Sequence, residues 1–185
     1  NTHYPPGYPL VLAALWKLWP AFPDNIVLFK FANAFFLAAA AAGTWLFTRE
    51  RLDFRPWQAA VTAIVGTLSV TVLLVTGVVL SEPLFLALLF PTLILCERAA
   101  ERGDVRTAFL AGLLIGVLAM VRTLGVFALP GAGLVLLLRR RWGALIALGA
   151  GAMLFLVPWQ LWVGAYQGEM AHPLVGKYGS YGAWL

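Results

Sequence analysis

The sequence predicts an all-α fold, a polytopic transmembrane helical bundle of about six spanning helices plus one short interfacial helix. Three observations carry this. First, 62% of the 185 residues are hydrophobic and 11% are charged, with a mean hydropathy of +0.86. A soluble domain is about 45–50% apolar and about 25% charged, and a globule of this size cannot hide so much apolar surface from water. Second, the apolar residues gather in runs near membrane-spanning length. Third, basic residues recur in short clusters between those runs. The composition excludes a soluble enzyme, a disordered chain and a nucleic-acid-binding domain. One cysteine, Cys96, excludes an internal disulfide. Two histidines, His3 and His172, argue against a histidine-cluster metal site.

The elements follow in chain order. Residues 1–9, NTHYPPGYP, are expected to stay out of helix, because three prolines and a glycine crowd five positions. Residues 10–19 are apolar but short, with Lys17 inside and Trp16 and Trp19 at the level such rings prefer, so they are expected to lie in the interface. Pro20, Pro23 and Asp24 then break the chain. Spans are expected at about 26–47, 57–80, 82–96, 107–121, 123–138 and 142–163. Pro130 falls inside the fifth and Pro158 near the end of the sixth. Gly112 and Gly116, and Gly143, Ala147 and Gly151, form small-residue stripes that let helices approach closely. Residues 164–185 read as a polar tail rich in glycine and tyrosine. The sequence starts at Asn1 without an initiator Met or a cleavable signal, and is expected to begin inside a loop of a longer protein.

Orientation comes from the basic loops. Arg49, Arg51 and Arg55 form one cluster, Arg98, Arg102 and Arg106 a second, and Arg139, Arg140 and Arg141 a third, together nine of the thirteen Lys and Arg. Their alternation with nearly uncharged connections is a positive-inside pattern. It places 1–24, with its interfacial helix, and 164–185 as outer loops around the membrane helices of 26–163. The expected location is the cell inner (plasma) membrane, with the outer side facing the periplasm or extracytoplasmic space. Topology thus explains the net charge of +5, with membrane lipids as surroundings and no nucleic acid as partner.

Ionisable and polar groups on the outer side each need a reason, because charge at membrane depth is costly. Glu82, in Leu80-Ser81-Glu82-Pro83, has two readings. It suits a helix first turn after a Ser cap, and it suits a carboxylate that holds a sugar hydroxyl or a metal. Arg122, the lone outer arginine, either snorkels or clamps a phosphate with its planar fork. Lys30, one turn into the first span, has the same two options. His3 and Tyr4 precede the proline-rich turn. His172, Lys177, Tyr178 and Tyr181 fall in the tail, which is either a ligand-binding segment or an ordinary connection. No Ser-His-Asp set, phosphate loop or zinc spacing is present in the sequence.

Tyr4-Pro5-Pro6-Gly7-Tyr8-Pro9-Leu10, followed by a short apolar helix, resembles the loop before the second membrane helix of GT-C glycosyltransferases. These are integral-membrane enzymes that use polyprenyl-phosphate sugars. The nearest type is the protein O-mannosyltransferase and aminoarabinose-transferase one. Leu80-Ser81-Glu82-Pro83-Leu84-Phe85 resembles the family's acidic signature at the start of a later helix. Ala119-Met120-Val121-Arg122-Thr123-Leu124-Gly125, with Pro130 beyond, resembles a further stretch, and Pro158-Trp159 with Tyr178-Gly179-Ser180-Tyr181 the run into the next outer loop.

The resemblance implies a sugar transferred from a polyprenyl-phosphate donor to an acceptor hydroxyl on a lipid, glycan or protein, with inversion. A carboxylate would act as general base. Basic groups and, in some members, a divalent cation (magnesium or manganese) would stabilise the leaving phosphate. The resemblance places the main base, an Asp, in a first outer loop upstream of Asn1. It makes Glu82 a secondary acid near acceptor or metal, Arg122 a phosphate contact, and His3 and Tyr4 lining of the donor pocket. Lys30, Lys177, Tyr178 and Tyr181 are further candidate contacts. Where the type often has a basic residue before the first proline pair, Tyr4 stands here. Two other classes fit the hydropathy, a transporter or lipid flippase fragment and a non-catalytic membrane scaffold. A transporter would be expected to carry polar or broken helices at the midplane.

Overall fold

The structure, a computed structural model, describes residues 5–67, 69 and 79–166. Among these there are seven α-helices and one 3₁₀ segment, and no strand. The helices are α1 (Gly7–Leu18), α2 (Ile26–Arg51), α3 (Pro56–Thr67), α4 (Glu82–Arg102), α5 (Val105–Val121), α6 (Ala128–Leu138) and α7 (Trp142–Tyr166). The 3₁₀ turn Thr123–Phe127 joins α5 to α6. The all-α helical membrane bundle is the fold class expected from the sequence. Three helices, α2, α4 and α7, are long and apolar enough to cross a membrane. The helices α1 and α5 and the stretch Thr123–Leu138 are shorter apolar helices.

Several boundaries differ from the sequence expectation, each for a physical reason. Residues 7–9 are helical, because a proline in a first helical turn forfeits no hydrogen bond. Helices α2 and α4 run past the apolar stretch, to Arg51 instead of Phe47 and to Arg102 instead of Cys96. Cations favour a helix C-terminus, and Arg51 and Arg98 also pair across the two helices. Gly103, at φ +68, then stops α4 in the left-handed conformation that glycine adopts without a clash. The expected fifth span is divided. Thr123–Phe127 is 3₁₀, and Pro130 sits in the first turn of α6 rather than inside a long helix. Pro91, unremarked in the sequence, lies inside α4. The last helix reaches Tyr166, beyond Val163. Of the expected span 57–80, Pro56–Thr67 is helical, while 68 and 70–78 lie outside the described residues.

Contacts fix the helix directions. Asn33 meets Leu80, Phe47 meets Phe90, and Arg51 meets Glu97 and Glu101, so α2 and α4 run the same way. Helices α5 and α7 also run parallel, crossing at small residues. The Gly112 Cα lies against the Leu148 carbonyl, Gly151 against the Phe109 carbonyl, and Gly116 against Phe155. Around this crossing Ile115, Leu148, Ala152 and Leu136 form the main core. Asp104 starts α5 as a side-chain cap on the Arg106 and Thr107 amides.

The topology sorts the charges to two ends. One end holds Arg51 between Glu97 (3.2 Å) and Glu101 (2.8 Å), Arg98 on Glu50 (2.7 Å), and Arg139 on the Ala100 carbonyl (3.0 Å). The other end holds Tyr8, Asn33, Glu82 and Arg122.

Candidate functional site

The first residue of α4 and the residue that closes α5 meet at the second end. Arg122 Nη1 lies 2.6 Å from Glu82 Oε1. Each side chain is about one-third exposed, at 34% for Arg122 and 31% for Glu82. Glu82 sits in the first turn of its helix beside Pro83, where backbone amides favour an anion. Ser81 occupies the cap position but makes no side-chain cap bond, so the expected Ser cap is absent and the carboxylate faces Arg122 instead.

Arg122 is held by its backbone. It is one extended residue, φ −146 and ψ 136, between α5 and the 3₁₀ turn. Its N–H donates to the Leu118 carbonyl at 3.0 Å, and its C=O accepts from the Gly125 amide at 2.8 Å. Gly125 permits the fold-back, since a Cβ there would stand 2.6 Å from the backbone of α5. The guanidinium is therefore presented from a fixed point.

Glu82 Oε2 is buried with no hydrogen-bond partner among the described residues, while Oε1 is taken by Arg122. Buried acceptors are usually satisfied, so Oε2 is the atom poised to take a hydrogen bond from a hydroxyl.

Beneath the pair lies a support that the sequence reading missed. Tyr8 is buried with Leu84 and Val121, neighbours of Glu82 and Arg122 in α4 and α5. Its hydroxyl donates to Asn33 Oδ1 at 3.0 Å, and Asn33 Nδ2 donates to the Leu80 carbonyl at 3.3 Å. Burial raises the Tyr8 phenol above its ordinary value. The Asn33 bond opposes this, and the nearby Glu82 charge adds to it. Asn33 was legible as a lone amide within an apolar run, the kind of residue that needs a partner at membrane depth. Tyr8 was hidden by the expectation that residues 1–9 are not helical.

Of the other expected site residues, only Lys30 lies among the described ones. Lys30 is exposed on α2, and no described hydrogen bond or ion pair joins it to Glu82 or Arg122. His3, Tyr4, Lys177, Tyr178 and Tyr181 lie outside the described residues. Among the described residues no three His, Cys, Asp or Glu side chains converge on a point.

The model of glycosyltransferase family 87 matches residues 2–172, nearly the whole chain. Comparison with curated proteins and with solved structures finds no match.

Proposed function

The chain belongs to glycosyltransferase family 87, a membrane glycosyltransferase built on apolar helices, and from that premise we propose that it transfers a sugar from a polyprenyl-phosphate donor to an acceptor hydroxyl, with inversion at the anomeric carbon. The acceptor oxygen forms the new bond to the anomeric carbon as the bond to the lipid phosphate breaks. The hydroxyl proton passes to a carboxylate base, and the phosphate departs with the electron pair. Arg122 takes the charge that grows on the leaving phosphate, and its fork is suited to two phosphate oxygens. Glu82 Oε2 receives the acceptor hydroxyl and orients it. The general base is a further carboxylate, the outer-loop Asp that the GT-C resemblance implies. The finer likeness to the O-mannosyltransferase and aminoarabinose-transferase type rests on the YPPGYP and SEPLF motifs. The site is proposed to face the periplasm, because the opposite end gathers the basic loops.

One observation carries this reading. A carboxylate and a guanidinium meet at one end of the bundle, and one carboxylate oxygen has no hydrogen-bond partner among the described residues. The test uses the full-length gene product in native-like lipid, with a panel of radiolabelled polyprenyl-phosphate sugars. Wild type, Glu82→Gln and Arg122→Ala are compared. Transfer by wild type that is lost in both variants, with folding intact, supports the roles given. Transfer that survives both substitutions returns them to helix capping and snorkelling. A folded wild type that uses no donor in the panel overturns the donor class.

A further inference from the structure

We infer that Tyr8 and Asn33 are positioning residues for the Glu82–Arg122 pair, acting through the backbone at Leu80 and the side-chain contacts at Leu84 and Val121. The inference rests on the reading of that pair as the site. Helices α1, α4 and α5 meet here, at Tyr8, Leu84 and Val121. Gly7 brings α1 against the last turn of α5 so closely that a Cβ would stand 2.6 Å from the Met120 carbonyl oxygen. The next residue, Tyr8, then fills the corner between Leu84 and Val121.

The hydroxyl of Tyr8 adds direction to this packing. It donates to Asn33 Oδ1 (3.0 Å), and the other half of the same amide donates to the Leu80 carbonyl (3.3 Å). Leu80 lies two positions before Glu82, just ahead of α4. Ser81 supplies no side-chain cap bond to that helix start, and the Asn33 bond ties the backbone at Leu80 to α2. Asn33 is itself 1% exposed and fixed about two turns into a long helix. A short chain of hydrogen bonds thus runs from the interfacial helix, through a spanning helix, to the segment that sets where Glu82 begins. Neither residue faces the reacting atoms. Their effect is on where the carboxylate sits relative to Arg122.

The experiment separates this from simple packing. Tyr8→Phe keeps the ring on Leu84 and Val121 and removes only the hydroxyl. Asn33→Leu removes the bonds to Tyr8 and to Leu80 at similar volume. Each is assayed in the full-length protein with the donor that wild type uses, beside the double variant and Glu82→Gln. The expected result for each single variant is a fall of about tenfold in kcat, since small misplacements at a reacting centre cost that or more. KM for the donor stays within about twofold, and the melting temperature of Tyr8→Phe is nearly unchanged. The double variant is expected to be no slower than the worse single one, because both changes cut one link. Wild-type kcat in Tyr8→Phe, or losses that multiply in the double variant, overturn the inference. If Tyr8→Phe and Glu82→Gln are both fully active, the reading of the site itself has failed. If only Tyr8→Phe is active, the site stands and the positioning role falls. Should Asn33→Leu not fold, Asn33→Gln, which keeps both polar groups on a longer arm, is expected to be slower than wild type by the same route.

Discussion

Arg122, the residue that closes α5, reaches Glu82, the residue that opens α4, at 2.6 Å. Both ions lie where their own helix favours them, the anion at an N-terminus and the cation at a C-terminus. Their pairing is therefore supported by two backbones as well as by each other.

The pair is expected to matter far more to catalysis than to stability. With each partner about one-third exposed, solvent screens the attraction, and coupling of about 0.5–1 kcal/mol is the scale for such pairs. A double-mutant cycle of Glu82→Gln and Arg122→Gln on thermal unfolding in detergent should return that value. Transfer by either single variant should fall about a hundredfold or more. A coupling of several kcal/mol would make the pair a fold element first.

The crossing of α5 and α7 should reject any added methyl group. Gly112→Ala drives a Cβ into the Leu148 carbonyl, and Gly151→Ala drives one into the Phe109 carbonyl. Overpacking of this kind costs about 1–3 kcal/mol. Gly149→Ala, with nothing within 4 Å of its Cβ, should leave the melting temperature unchanged or slightly raised. Equal effects at the three positions would contradict the described crossing.

At the opposite end, Arg51 is expected to outrank Arg98. The Arg51 side chain is 12% exposed and serves both Glu97 and Glu101, whereas Arg98 is 40% exposed and serves Glu50 alone. Arg51→Met should cost about 1 kcal/mol and Arg98→Met about half of that or less. Added salt should narrow the gap between wild type and Arg98→Met more than the gap to Arg51→Met. The melting temperatures of the three proteins at low and high salt decide this.

Asp104 gives a signed pH dependence. The Thr107 hydroxyl and amide hold its carboxyl below the ordinary value of 3.8. A depressed folded value means that the cap's contribution is complete above the ordinary value. It is lost as pH falls through the lower folded one. Amide exchange at residues 105–107 should therefore accelerate below pH 4 in wild type and show little further pH response of this origin in Asp104→Ala.

How much was legible follows from particular residues. The fold class was written in the hydropathy and in the spacing of the arginines, because the bilayer imposes both. Glu82 and Arg122 were each visible as isolated ions outside the basic loops. Their contact was not, since it depends on α4 starting where α5 stops. Helix ends at Arg51 and Arg102 were missed because an apolar run ends before its helix does. The 3₁₀ turn after Arg122 was missed because Thr123–Phe127 is as apolar as the helix beyond it. The roles assigned to Lys30 and to the residues outside 5–166 gain nothing from the geometry.

The corner under Tyr8 also sets an order of assembly. The ribosome makes α1 before the surfaces it caps, which come from Leu84 and Val121, far along the chain. At about 5–20 residues per second, the interval before Val121 appears is on the order of ten seconds. Through that time the apolar face of α1 has no completed seat and must rest at the membrane surface. This corner is thus begun well before it can close. Whatever speeds or slows membrane insertion of α4 and α5 will govern when the enzyme first becomes competent.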